Sequence, residues 1–257
     1  MLIFVLASLC AHAQSPTQAS TPATEPATAA VAPVAPRLDG TWRVDMRLVN
    51  EVKVPIMGTT RLFSIQTMLA TVTTQPDGTV MQRHVACSIA TEGEQKIVTT
   101  VFPDSFVAAL PKKTYPLKIT ADGAGGWSYF ADLKPQYLGY DPALSPNGPP
   151  HEDDHPALVD SDHDGKPGVT AIAKAPVFGS VELYLAQNAH THLRGTVRNN
   201  ELVEGNAPMV ALDQWMVGST NRLFHRNPEV THRPKLSTFT MQRRPAGTTC
   251  NDLKAEG

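Results

Sequence analysis

The sequence predicts an all-β domain, an antiparallel barrel or β-sandwich of about ten strands carrying one long acidic loop. Three observations point there. Apolar and polar residues alternate with period two in segment after segment, and helical periodicity is hard to find. Turn chemistry falls between those segments. From Arg37 to about Ala246 the composition is globular with no second linker, which suits a single core.

Residues 1–13 read as a secretory signal peptide. Leu2 to Leu9 is a short apolar run, and Ala11-His12-Ala13 supplies small residues before Gln14, although no Lys or Arg precedes Arg37. The run is too short to span a bilayer. Leu6-Ala7-Ser8-Leu9-Cys10 is similar to a bacterial lipobox with an oversized Leu9, so membrane attachment is expected only through a lipid on Cys10. Residues 14–36 are almost wholly Ala, Thr, Pro, Ser, Gln and Val, with Glu25 as the one charge. Nothing there offsets the entropy of ordering, so this is a disordered linker. Residues 37–257 follow as a single β domain.

Gly40 to Leu48 opens that domain as a half-buried strand, with Trp42, Val44, Met46 and Leu48 on one face and Thr41, Arg43, Asp45 and Arg47 on the other. Gly40-Thr41-Trp42 resembles the first-strand G-x-W of lipocalins, which implies a closing Arg near the last strand, here Arg243 or Arg244. Thr59–Thr74 is a long β segment, bulged or split. Gln75-Pro76-Asp77-Gly78-Thr79 turns it back into Val80–Ala90. Further strands are expected over Lys96–Val101, Tyr115–Thr120, Trp127–Leu133, Gly168–Ala173, Ser180–Val197, Leu202–Glu204, Met209–Val217 and Leu236–Arg243. Asn199-Asn200 reads as a tight hairpin turn. The meander favours the barrel slightly over the sandwich.

Between the strands, residues 135–150 are rich in Pro, Gly, Asn and Tyr and lead into the acidic stretch. Glu152 to Asp164 holds six of the chain's 24 acidic residues and no Lys or Arg. Such crowding repels unless water, salt or a cation compensates. Its core is Asp160-x-Asp162-x-Asp164-Gly165, where the Gly allows a sharp turn and Lys166 offers its carbonyl at the seventh place. This resembles the D-x-D-x-D-G half of EF-hand, dockerin and thrombospondin type 3 loops, and implies a calcium site but no fold. The twelfth position is Ala171 where an EF-hand has its Glu, and no helix follows. Another acid must therefore complete the shell, with Asp154, Asp153 or Glu152 nearest. Affinity is expected in the weak extracellular range, on the order of 10⁻⁴–10⁻³ M.

Just upstream, His151-Glu152-Asp153-Asp154-His155 matches the zincin pattern H-E-x-x-H, which needs a helix to set two His one turn apart. Pro156 disfavours helix at His155, and no apolar periodicity holds one in place. A zinc-dependent hydrolase is thus the alternative reading. Elsewhere, parity along Val181–Arg194 puts Val181, Leu183, Leu185, Ala189 and Leu193 toward a core. Tyr184, His190, His192 and Arg194 share the opposite, polar face, which reads as a ligand-lining face, as an H-x-H metal pair lacking its third ligand, or as plain solvated surface.

Loss of the leader leaves Cys87 and Cys250, expected as a disulfide in an oxidising compartment. The formal charge of −2, with aromatics at only 6%, argues against a nucleic-acid surface. No nucleophile elbow, phosphate loop or dinucleotide fingerprint occurs. The expectation is an exported, calcium-stabilised β-barrel-like module, more a binder than an enzyme, whose partner is a small ligand or a cell surface.

Overall fold

The computed structural model of the chain describes residues 35–256, apart from 55–57, 96–98, 176–178, Arg226 and Pro228. The apolar leader with Cys10, and nearly all of the linker, lie outside those residues, as does the start of the strand expected from Lys96. In chain order the elements are β1 (Gly40–Val54), β2 (Gly58–Thr74), β3 (Val80–Gly93), β4 (Thr99–Val101) and helix α1 (Asp104–Ala109). Then come β5 (Lys113–Ala121), β6 (Trp127–Asp132), β7 (Gln136–Leu138), β8 (Val169–Ala175) and β9 (Gly179–Asn199). Last are β10 (Leu202–Asn206), β11 (Met209–Ser219), β12 (Val230–His232), β13 (Thr238–Arg244) and helix α2 (Cys250–Ala255). The protein is all-β, and among the described residues every strand pairing is antiparallel.

The pairings close on themselves. β10, β13, β1, β2, β3, β5, β6 and β9 form a ring in which each strand is hydrogen-bonded to the next and β9 returns to β10. Closure removes the sheet edges. The ring is nonetheless not a plain up-and-down barrel, because β9 outruns it. One edge of β9 carries β8, β7 and β6 in succession, and the other carries β11 and β10. A ring of eight strands is just wide enough for side chains to fill. Trp42, Val44, Tyr129, Leu193, Phe239 and Met241 fill it, each no more than 2 % exposed.

The alternation in β1 sets the face: Trp42 to Leu48 point inward at every second position. Trp42 donates its indole N–H to the Leu38 carbonyl at 2.8 Å. Arg243, one of the two arginines implied by the G-x-W start, lies 4.4 Å over the Trp42 ring and donates to the Asp39 and Arg37 carbonyls. It ties the chain entering β1 to β13. A capping box of Thr249 and Asp252 starts α2, whose Leu253 is buried and whose Cys250 is disulfide-bonded to Cys87.

Candidate functional site

Beyond the filled ring the barrel wall continues while its interior empties, leaving a cavity of about 300 Å³. Parity again decides its lining. The inward positions of β9 past Leu193 are Thr191, Ala189, Gln187, Leu185 and Leu183, and all five face the cavity. Val169 and Ala171 on β8 and Met216 on β11 continue the apolar wall. Phe102, Phe106 and Leu110, in and around α1, complete it, with the two rings 4.6 Å apart. Asn50, Ser64 and Gln66 add polar points from β1 and β2. The lining is mainly apolar, with Gln187, Gln214, Gln136 and Lys134 adding further polar groups, a composition compatible with a small-molecule pocket.

A bulge in β3 shapes one wall. Thr67 pairs with Ser88 but Met68 pairs with Ala86, so Cys87 is the extra residue. Gln82, His84 and Ala86 face inward before it, Ile89 and Thr91 after it. The bulge thus keeps an inward face across a break in parity and frees Cys87 to bond Cys250.

At the junction between filled and hollow halves lies a buried polar chain. Tyr129 donates its hydroxyl proton to the Gln82 side-chain oxygen at 2.6 Å. That fixes the Gln82 amide as donor toward His84 Nε2, so His84 carries its proton on Nδ1 and lines the cavity as a neutral donor. Burial alone pushes the His84 pKa down to about 3, so the ring stays neutral at physiological pH. The Tyr115 hydroxyl beside it is buried without a hydrogen-bond partner, and its ring meets His84 edge-on at 5.1 Å.

A second histidine spans the rim. His232 on β12 accepts the Met209 N–H of β11 at Nε2 and bonds the Asn50 side chain of β1 through Nδ1, both at 2.9 Å. Among the described residues β11 and β12 share no strand pairing, so this imidazole bridges the two.

The long loop packs on the outer wall of the hollow half. Tyr140 and Leu158 from the loop meet Tyr184, Ala186, Trp215 and Val217 from β9 and β11. Within it Asp160, Asp162 and Asp164 bring carboxylate oxygens within 4.8 Å of one another. Asp160 accepts the Asp164 and Gly165 N–H groups, the latter at 2.9 Å. Gly165 turns with φ of +83°, a conformation that suits glycine. Asp162 is 7 % exposed, and one of its oxygens accepts the Thr170 N–H at 3.0 Å while the other has no partner. Burial raises its pKa, and Asp164 and Asp160 add to the rise, against the lowering Thr170 N–H. Lys166 directs its side chain toward the Tyr184 ring, 5.9 Å away. Asp154 is exposed and stands outside the cluster.

The zincin match folds without its helix. Residues 151–154 form bends and turns, His151 stacks on Trp215 at 4.1 Å, and His155 Nδ1 accepts the Ala157 N–H. Tyr184, His190, His192 and Arg194 occupy the outward parity of β9, opposite the cavity-lining positions. Tyr184 is buried beneath the loop and donates to Glu182, while His190, His192 and Arg194 lie farther along the outside. The lining residues of α1 and the His84 chain escape sequence reading. An inward histidine in a strand resembles any satisfied polar group until its partners are known.

Comparison with protein-family models and with curated proteins finds no match. Among solved structures, DynF from the dynemicin biosynthesis pathway of Micromonospora chersina is similar at 12% identity, over 85% of this chain and 88% of that one. Its TM-score is 0.36, too low to carry an argument about fold detail or function.

Proposed function

We propose that this chain is an exported, non-enzymatic binding module whose hollow half takes a small, largely apolar ligand carrying a hydrogen-bond acceptor. The cavity of about 300 Å³ carries the reading. Ligand pockets begin near this size, and their walls are mainly apolar with a few fixed polar groups. The neutral His84 ring supplies a polar anchor at the inner end. The Cys87–Cys250 bond is consistent with an oxidising compartment. The test is titration of the purified chain with the apolar fluorophore N-phenyl-1-naphthylamine. Saturable one-to-one binding is expected, weakened at least tenfold in Ala189→Phe, whose larger side chain fills the cavity; circular dichroism checks that the variant folds. Absent saturable binding, or unchanged binding in that variant, rules the cavity out.

The acidic loop belongs to the same proposal as a calcium site that stabilises the outer wall. Its support is the buried, half-unpartnered Asp162 carboxylate between two further carboxylates. At about 1 mM calcium and an affinity on the order of 10⁻⁴–10⁻³ M, binding would add about 0.4–1.4 kcal/mol. Wild-type protein is therefore expected to melt higher in calcium than in chelator. Asp162→Asn, which keeps an acceptor for Thr170 and loses a charge, is expected to show no such difference. A calcium shift that survives this substitution would contradict the assignment.

A further inference from the structure

The outward pair His190 and His192 acquires from the fold the third ligand that the sequence leaves unnamed. β6 runs antiparallel to β9 with Asp132 directly across from His192, so both side chains leave the sheet on the same side. His190, two residues along β9, shares that face. The Nε2 atoms of both rings converge on one oxygen, Oδ1 of Asp132, at 2.6 Å from His190 and 3.8 Å from His192. The two rings stand 5.0 Å apart at 83°, and the three ligating atoms lie within 4.8 Å of one another.

We propose that Asp132, His190 and His192 form a transition-metal site, for which zinc is the natural occupant. Two imidazoles and a carboxylate are hard-to-borderline ligands that suit zinc, and calcium disfavours imidazole. In a tetrahedral zinc site with bonds of about 2.0–2.1 Å, neighbouring ligand atoms lie about 3.4 Å apart. Small side-chain rotations bring the present atoms to that spacing. The three side chains are partly buried but keep 17–26% of their surface in solvent, which leaves an ion and a fourth ligand access. The face around them is already restrained: the Phe130 ring meets His192 edge-on at 5.3 Å.

Two cations oppose the site and set its strength. Lys134 pairs with the other oxygen of Asp132 at 2.7 Å and gives its backbone N–H to Oδ1. Arg194 approaches His192 Nδ1 at 3.5 Å, too long to hold it firmly as an acceptor. Their repulsion makes this a labile site, weaker than a buried structural one.

The three ligands lie outside the cavity lining and the acidic loop, although Lys134 also borders the cavity, and the test keeps the sites apart. Full-length protein is titrated with zinc by calorimetry, and with cobalt by visible absorption, whose bands report a low-coordinate ion. One zinc per chain is expected, kept in Asp162→Asn and in the His151→Ala/His155→Ala pair. It is expected to vanish in His190→Gln/His192→Gln with far-ultraviolet dichroism unchanged. Lys134→Met should tighten binding several-fold, a gain that damage to the fold does not produce. Zinc binding that persists in the His190/His192 double variant, or depends instead on His151 and His155, overturns the proposal, as does wild-type protein that takes up no zinc.

Discussion

At the scale of single residues, the buried histidine His84 decides how the molecule responds to acid. Its pKa lies near 3 in the folded protein against an ordinary 6.5, because burial disfavours the imidazolium. As pH falls through 6.5, the unfolded chain takes up a proton that the folded chain refuses. Stability therefore drops as pH falls between about 6.5 and 3, by about 1.4 kcal/mol per pH unit from this group. His192 and His232, also lowered chiefly by burial, act in the same direction. Replacing His84 by Leu removes one proton from the slope. It also strips the Gln82 amide of its acceptor, apart from a 3.8 Å contact to the Met241 sulfur, at about 1–3 kcal/mol near neutrality. Urea denaturation of both proteins at several pH values between 4 and 7 checks this. Parallel pH profiles would mean that His84 titrates normally.

Strand by strand, closure of the ring rests on a pair of glycines. Gly195 on β9 faces Gly205 on β10, and the row continues to Tyr129 on β6 at one side and Phe239 on β13 at the other. The two rings meet over the glycines at 5.6 Å, filling the space their missing side chains leave. A Cβ on Gly205 would sit 2.2 Å from the Arg194 carbonyl oxygen and 2.4 Å from Gly195 Cα, both backbone atoms with no rotamer to yield. Gly205→Ala is expected to lower stability by about 2–4 kcal/mol, read as a fall in the urea midpoint; a change within error would mean that the strands can separate freely there. This row also marks where sequence reading stops. Period-two alternation in β1 and along β9 exposed their inward faces, because each strand is long enough to show its pattern several times. The bulge at Cys87 breaks that pattern, and the side on which a parity faces is set by closure, which no local segment encodes. The three-residue strands β7 and β12 hold barely one period each and exist through distant partners, whereas β4 falls at the end of the segment expected from Lys96. For the same reason Asp132 joins His190 and His192 only through the β6–β9 register.

For the whole molecule, the contrast between a filled half and a hollow half has a dynamic consequence. The filled half is a hydrogen-bonded ring around Trp42, Tyr129, Phe239 and Met241, and its amides can open only when the ring does. The hollow half is walled by the ends of long strands together with β4, β7 and β12, and at the rim β11 and β12 are joined through His232. Fewer buried apolar contacts oppose local opening there, so its free energy of opening is expected to lie below the global value. Hydrogen exchange followed by mass spectrometry is expected to show β13, β6 and the Gly40–Leu48 part of β1 exchanging only with global unfolding. β4, β12 and the outer end of β11 should exchange much faster. A ligand that binds only the closed hollow half must slow the second group, by up to the factor that its concentration exceeds its dissociation constant, and leave the first group changed only as global stability changes. Uniform exchange across both halves would mean that the cavity is as rigid as the core and opens only by unfolding. Selective protection of the rim would identify the hollow half as the part of the barrel that moves to admit a ligand.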